Sequence, residues 1–398
     1  MRKSAAPIGL VATCLFAAIV LDSARAASYR QISALDDSNG CVLTGGVTED
    51  GHGHLWGTAT WCGIDNYGTI FKLPEHGAVT PQKIYDFTGQ PVSHPALGFL
   101  PEYPTAGLLL GADGLLYGTS QAGGVGYLCG TVFSVSRQGK FKVVYNFLPN
   151  VTVLDACGPQ APLIQDKHGN LIGTAPGAVF SVTPGGVEKV LHFFCHGNDG
   201  CSTPQSYAGV TEDAHGTIYG TTDQGGVSGQ GTVFRIKTDG TETVLYYFTG
   251  GNDGALPFSG LVLDGHGNLY GTAAAGGAAG WGTVFRITPD GRETTLHSFT
   301  GGAGGSLPET GLVFDTAGNL YGTAICGADS DGCSTIAGLV FKLAPDGTYT
   351  IIHQFSRGYD GQYPTGMLIR AASGKIYGTT QGGGRFANGE GTIFEITP

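Results

Sequence analysis

The sequence predicts an all-β fold, a seven-bladed β-propeller of four-stranded antiparallel blades closed by its own N-terminal strand. Three observations carry this. One six-residue anchor, Gly-x-[Leu/Ile]-[Tyr/Trp/Ile]-Gly-Thr, occurs seven times, beginning at Gly53, Gly114, Gly169, Gly216, Gly267, Gly318 and Gly374. Each copy sits among three other short apolar runs bounded by Gly, Asp, Asn or Pro, the signature of strands joined by tight turns. The last copy lacks its fourth run, and a matching run stands alone at the start of the chain. Four strands in a unit of about 50 residues is the pattern of a propeller blade.

The fifth unit shows all four strands. Leu261-Val262-Leu263 is strand a, and Asn268 to Thr272 is strand b. Gly282 to Ile287 is strand c, and Thr294 to Phe299 is strand d. The seventh unit stops after strand c, at Gly391 to Ile396. Tyr29 to Leu35 supplies the missing strand d, with Leu35 aligned to Phe299 and Ile32 to Leu296. Pairing this run with the last strand c closes the ring and removes two exposed strand edges.

The first 26 residues read as an export signal. Arg2 and Lys3 are basic, Ile8 to Leu21 is an apolar run, and Ala24-Arg25-Ala26 is a small-x-small cleavage site. The propeller then occupies residues 27–398, and the protein is expected outside the cytoplasm, without a membrane span or sorting tail. Losing the signal removes three basic residues and one acidic residue, so the remaining chain is still more acidic than the formal −11 of the whole. That balance argues against nucleic acid and anionic lipid as partners, because both need a basic footprint. Glycine reaches 70 residues without a G-X-Y period, so collagen is excluded.

Loop lengths divide the two faces of the ring. From the Gly (or Pro162) opening strand a to the Gly of Gly-Thr, the a–b step is 11 residues in six units and 12 in the seventh, from Gly366 to Gly378. Measured Phe to Phe, the c–d step is 14 in five units and 16 in the first. These turns carry Asp-x-x-Gly and Pro-Asp-Gly sequences, the chemistry of tight hairpins. On the other face the b–c step runs from 7 (Gly173 to Phe180) to 19 (Gly322 to Phe341). The d–a step there runs from 11 to 20. Function tends to sit on variable loops held by a rigid scaffold. All eight cysteines after the signal fall in or beside these loops, and an even number in an exported chain implies disulfides. Loop position pairs Cys41 with Cys62, Cys129 with Cys157, Cys195 with Cys201 and Cys326 with Cys333. The spacings are not those of a zinc site, and neither a metal nor a cofactor is expected.

No catalytic constellation stands out. His192, His297 and His353 occupy a strand d position that is tyrosine in Tyr85, Tyr145 and Tyr246, which is a packing address. His94 and His196 lie in variable loops and are the histidines to test as acid–base groups. Asp253 and Asp360 each open Asp-Gly-x-x-Pro ahead of strand a, and Asp199 opens the same motif with one more residue before the proline. They read either as a ring of carboxylates for glycoside chemistry or as turn residues. Aromatics on this face suit sugar stacking or a protein interface; the ligand candidates are Trp61, Tyr67, Tyr127, Trp281, Tyr359 and Tyr363. Tyr103, Tyr207, Phe258 and Phe386 lie on the same face.

The unit from Gly260 to Pro308 resembles the GloVer tandem repeat. It runs Gly-Leu-Val-x-Asp-x-x-Gly-Asn-Leu-Tyr-Gly-Thr, then Gly-Gly-x-x-Gly-x-Gly-Thr-Val-Phe, then Leu-x-x-Phe-x-Gly-Gly. The resemblance covers nearly all of the chain after the signal. It implies a secreted bacterial "choice-of-anchor" propeller and brings no catalytic residues with it. The resulting expectation is a monomeric binding scaffold that presents its disulfide-stapled loop face to a glycan or a protein. The alternative is an extracellular propeller enzyme, a lyase or glycoside hydrolase acting on polysaccharide.

Overall fold

The computed structural model describes residues 27–75, 80–89, 99–124, 129–148, 156–201, 208–328, 337–356, 359–384 and 390–398. They form seven four-stranded antiparallel sheets, six of them running a-b-c-d in chain order. Blade 5 has strand a at Val262–Leu263, b at Leu269–Ala273, c at Thr283–Ile287 and d at Glu293–Ser298. In blade 7 strand d is the N-terminal run Ser28–Ala34, paired with strand c at Thr392–Thr397. Ser33 stands opposite Ile393 as His297 stands opposite Val284, which gives Leu35 the place of Phe299. Every c–d ladder carries one bulge at the same level, which adds twist to the outer half of each blade.

The anchor now has a physical reading, residue by residue. Its first glycine ends the a–b turn with left-handed backbone, as at Gly267 (φ 82°). In that turn Asp264 accepts the N–H groups of His266 and Asn268 at 2.8 and 2.9 Å. Its second oxygen accepts the Asn268 amide at 2.8 Å and the Tyr270 hydroxyl at 3.1 Å. Burial alone would raise the Asp264 carboxyl, but these donors outweigh it and hold it below the ordinary range. Asp50, Asp213 and Asp315 repeat the arrangement with Trp56, Tyr219 and Tyr321. His168 and His215 lend their backbone N–H groups to these turns, and the His52 ring also bonds the Asp50 carbonyl at 2.9 Å.

The second glycine of the anchor lies across from the strand c phenylalanine, as Gly271 lies across from Phe285. A Cβ there would stand 2.7 Å from both the Phe285 ring and Leu261. The threonine that follows ties blade to blade. Thr272 donates to the Thr310 carbonyl at 3.1 Å, Thr323 to Pro364 at 3.0 Å, and Thr379 to Gly45 at 2.9 Å across the ring closure. Between blades, the buried phenylalanine after strand d packs on the strand c phenylalanine of the next blade. Phe147–Phe180 and Phe248–Phe285 meet edge-on at 4.9 and 5.0 Å.

The seam between blades 7 and 1 departs from the repeat. Ala371 replaces the turn aspartate, and the Tyr377 hydroxyl instead reaches Glu75 at 3.1 Å and Glu395 at 3.3 Å. Lys375 and Arg30 complete the cluster on Glu395 at 2.9 and 3.0 Å. The seventh a–b step is also corrected. Ile369 pairs with Tyr377 as Val262 pairs with Tyr270, so the turn has the common length. Met367, not Gly366, holds the place of the innermost glycine.

Candidate binding site at the channel mouth

On the loop face, the segment entering a blade pairs with the first residues of that blade's own b–c loop. Five of the pairs, besides Cys201 with Gln224, are Cys41 with Trp61, Glu102 with Ala122, Ala255 with Ala275, Ser306 with Cys326, and Gln362 with Gly382. The next residue is left-handed in all five: Val42, Tyr103, Leu256, Leu307 and Tyr363 have φ between 54° and 60°. Each uses its backbone as a bridge. The Tyr363 N–H donates to Ala337 of the preceding blade at 2.7 Å, and its carbonyl accepts from Gln381 at 2.8 Å. Non-glycine residues avoid this conformation, at a cost of order 1 kcal/mol each. Here it recurs at one level of one face, and Val42, Tyr103 and Tyr363 line the mouth of the central channel.

The mouth holds two chambers that share Thr44 and Gln381. The larger, about 590 Å³, is lined by Trp61, Tyr103, Thr105, Gln121 and Gln160 among others. The smaller, about 350 Å³, is lined by Ser259, Glu309, Ile325, Tyr363, Thr365 and Met367 among others. Much of the lining comes from one address in the repeat, two residues ahead of the innermost glycine: Thr44, Thr105, Gln160, Glu309 and Thr365. The threonines tie the rim together. Thr44 donates to the Thr105 carbonyl at 2.9 Å, Thr105 to Gln160 at 3.4 Å, and Thr365 to Leu43 at 3.3 Å. Below, the innermost strands nearly touch: a Cβ on Gly260 would stand 3.2 Å from the Gly209 carbonyl. Met367 fills the floor of the smaller chamber, its methyl 2.9 Å from where a Gly311 Cβ would be.

Four longer polar side chains in these chambers have no hydrogen-bond partner among the described residues. Gln121, Gln160 and Gln381 have side-chain amides with no hydrogen-bond partner among the described residues. Glu309 likewise has none, and burial raises its carboxyl above the ordinary range. Aromatic walls stand beside them: Trp61, 40% exposed, lies 4.7 Å from Tyr103, which also meets Tyr67 at 5.5 Å. Two disulfides brace the larger chamber. Cys41–Cys62 brackets Val42 and Trp61, and Cys129–Cys157 adjoins Gly158. Cys195–Cys201 closes a loop elsewhere on this face, and Cys326 is also disulfide-bonded. Three disulfides among the described residues mark a chain that folds in an oxidising compartment.

The residues singled out from the sequence fare unevenly. Trp61 and Tyr363 line the mouth, and Tyr67 supports it through Tyr103. Trp281 and Tyr359 are exposed, the latter at 70%, and line neither chamber. His94, Tyr127, Tyr207, Phe386 and Cys333 lie outside the described residues. Asp199, Asp253 and Asp360 are each bonded to the outer strand of their own blade. Asp199 meets His192 at 3.2 Å, Asp360 meets His353 at 3.2 Å, and Asp253 accepts from Tyr246 at 3.0 Å. His196 is exposed and gives only its backbone N–H to Asp199, at 2.9 Å. These carboxylates do not come together, and none lines the mouth. Gly304 stands where blade 5 would have the same aspartate, so burial alone acts on His297 and lowers its pKa. Glu309 and the three glutamines escaped the sequence reading. Comparing the residue two ahead of the inner glycine across units would have shown a lone carboxylate there.

Similar solved structures include a streptogramin B lyase, 13% identical, with a TM-score of 0.59, covering 93% of this chain and 97% of that one. A Bacteroides thetaiotaomicron VPI-5482 protein of unknown function is 10% identical with a TM-score of 0.52, covering 94% and 76%. At such identities the likeness concerns the fold alone. Among curated proteins none matches this chain. The sequence profile of the Gloeobacter/Verrucomicrobia repeat matches residues 21–206 and 175–333. With most of its length matched and its repeat accounted for blade by blade, the chain belongs to the Gloeobacter/Verrucomicrobia repeat family.

Proposed function

We propose that this is an exported, monomeric binding propeller that takes a glycan into the mouth of its central channel. One observation carries the reading: three glutamine amides without a partner among the described residues face two adjoining chambers walled by Trp61, Tyr103 and Tyr363. An amide offers both a donor and an acceptor, which suits a ligand covered in hydroxyls. Aromatic side chains beside such groups suit the apolar face of a sugar ring. The combined volume lies within the range of ordinary small-ligand sites. The Arg2–Lys3 and Ile8–Leu21 run directs export, and the disulfides fit that destination.

A glycan array probed with the secreted protein tests this. Binding that falls at least tenfold in both Trp61→Ala and Gln381→Ala supports the mouth as the site. Binding that survives both places it elsewhere. A polysaccharide-degradation screen run beside the array addresses the enzymatic alternative. Glu309 and Tyr363 are the titratable groups lining the smaller chamber. Product release abolished by Glu309→Gln would convert the reading to a polysaccharide-cleaving enzyme.

A further inference from the structure

We propose that the smaller chamber is a subsite for an amino sugar, whose ammonium group rests against Glu309 while neutral sugar units extend into the larger chamber. The inference rests on the glycan reading above and adds the chemistry of the ligand.

Glu309 is the one charged side chain lining either chamber among the described residues. An ionised carboxylate is an acceptor only and needs donors when it leaves water. The hydroxyls beside it are committed elsewhere. Thr310 bonds Thr323 at 2.6 Å, Ser259 donates to the Thr272 carbonyl at 3.4 Å, and Thr365 donates to Leu43 at 3.3 Å. Among the described residues no protein group donates to Glu309, so the donor is left for the ligand. Burial of the unpaired carboxylate raises its pKa, and a bound cation relieves that unfavourable state. The formal charge of −11 draws a cation toward the molecule at long range.

The surroundings favour a sugar over a lysine side chain. Gln381 offers an amide with no partner among the described residues at the junction of the chambers, and the Tyr363 ring with Met367 supplies flat apolar wall and floor. The lining of the larger chamber carries glutamines and no carboxylate. It therefore has hydrogen bonds to give a neutral, hydroxylated unit and nothing to pair with a second positive charge. One cationic unit followed by neutral units is the ligand pattern that this arrangement fits.

The test uses calorimetric titration of the whole secreted protein with three probes. They are a fully N-acetylated glucosamine tetramer, the same tetramer with one free amine, and a lysine tetrapeptide. The amine-bearing tetramer is expected to bind ten- to a hundredfold tighter than the acetylated one, the range of a charge-assisted hydrogen bond. Glu309→Gln is expected to erase that preference, and a circular-dichroism spectrum and thermal midpoint matching the parent's show that the variant is folded. Gln121→Ala is expected to weaken both tetramers alike. Equal affinity for the two tetramers, or a preference that persists in Glu309→Gln, overturns the amine subsite and leaves the glycan reading standing. Capture of the lysine peptide without either tetramer, or binding of no probe, overturns both.

Discussion

The two faces of the ring are held by different chemistry. On the constant face the polar atoms of all a–b turns but the seventh are paired within the turn: Asp264 alone takes four donors, and Asp166, Asp213 and Asp315 repeat most of that pattern. On the loop face order comes from covalent bonds, inter-blade bridges and left-handed backbone, and the amides of Gln121, Gln160 and Gln381 have no partner among the described residues. A saturated face can be copied seven times because nothing in it depends on a ligand. A face that must keep donors and acceptors available has to be braced by other means. The staples and the strained bridges are those means.

Removing a staple is the harshest way to break this comparison. Cys129–Cys157 spans 28 residues and Cys195–Cys201 spans 6. Chain-entropy arguments assign about 3.6 kcal/mol to the longer loop and about 2.2 kcal/mol to the shorter. Paired serine substitutions at each site, followed by urea unfolding, are expected to rank in that order. The reverse order would mean that the loops are held by their non-covalent contacts. The Cys129–Cys157 variant should also lose ligand affinity, because that bond adjoins the larger chamber.

A substitution in the repeated frame comes next. Gly271→Ala places a methyl 2.7 Å from the Phe285 ring and from Leu261. Overpacking of this kind costs about 1–3 kcal/mol. It should lower the thermal midpoint without moving affinity at the mouth. An equal loss of binding would show that the frame and the mouth are not separable.

The frame was almost wholly legible in the sequence, and the mouth only partly. Gly-x-Leu-Tyr-Gly-Thr repeats because each position has a local partner: the turn aspartate, the facing phenylalanine, the next blade's carbonyl. Repetition is visible to the eye, so the blade count and the closing strand followed from it. The mouth is built from positions where the copies differ. Thr44, Thr105, Gln160, Glu309 and Thr365 share an address but not a residue type, and only the ring geometry brings them together. The seventh unit hid its own register, because Met367 stands where a glycine was expected. Asp199, Asp253 and Asp360 stood out for the opposite reason. They repeat, and what repeats here is bonded within its own blade.

The inter-blade threonines offer a matched pair of variants. Thr323 donates to the Pro364 carbonyl at 3.0 Å, whereas the Thr119 hydroxyl is buried with no partner among the described residues. Thr323→Val leaves a buried carbonyl short of its donor and should cost about 1–2 kcal/mol. Thr119→Val removes an unsatisfied hydroxyl and should be neutral or slightly stabilising. Unfolding of the two variants under one set of conditions gives the difference directly. Equal destabilisation would mean that methyl packing, not the hydrogen bond, ties one blade to the next.

The smallest expected effect lies where the loop face meets a neighbouring blade. Glu242, on strand d of blade 4, has a buried carboxylate oxygen with no partner among the described residues. Burial, and then the nearby Asp199 of the loop face, raises its pKa from the ordinary 4.5 to about 7. The unfolded side chain therefore releases its proton at lower pH than the folded one. Between about 4.5 and 7 the folded state binds more protons, so this group's contribution falls as pH rises through that window and levels off above it. Glu242→Gln removes the titration, and the variant should gain on the parent by about 1 kcal/mol at pH 8 after allowance for solvent screening. At pH 4 the two should unfold alike. Thermal unfolding across that range reads the difference, and parallel curves at every pH would show that the Asp199 turn does not bear on the blade beside it.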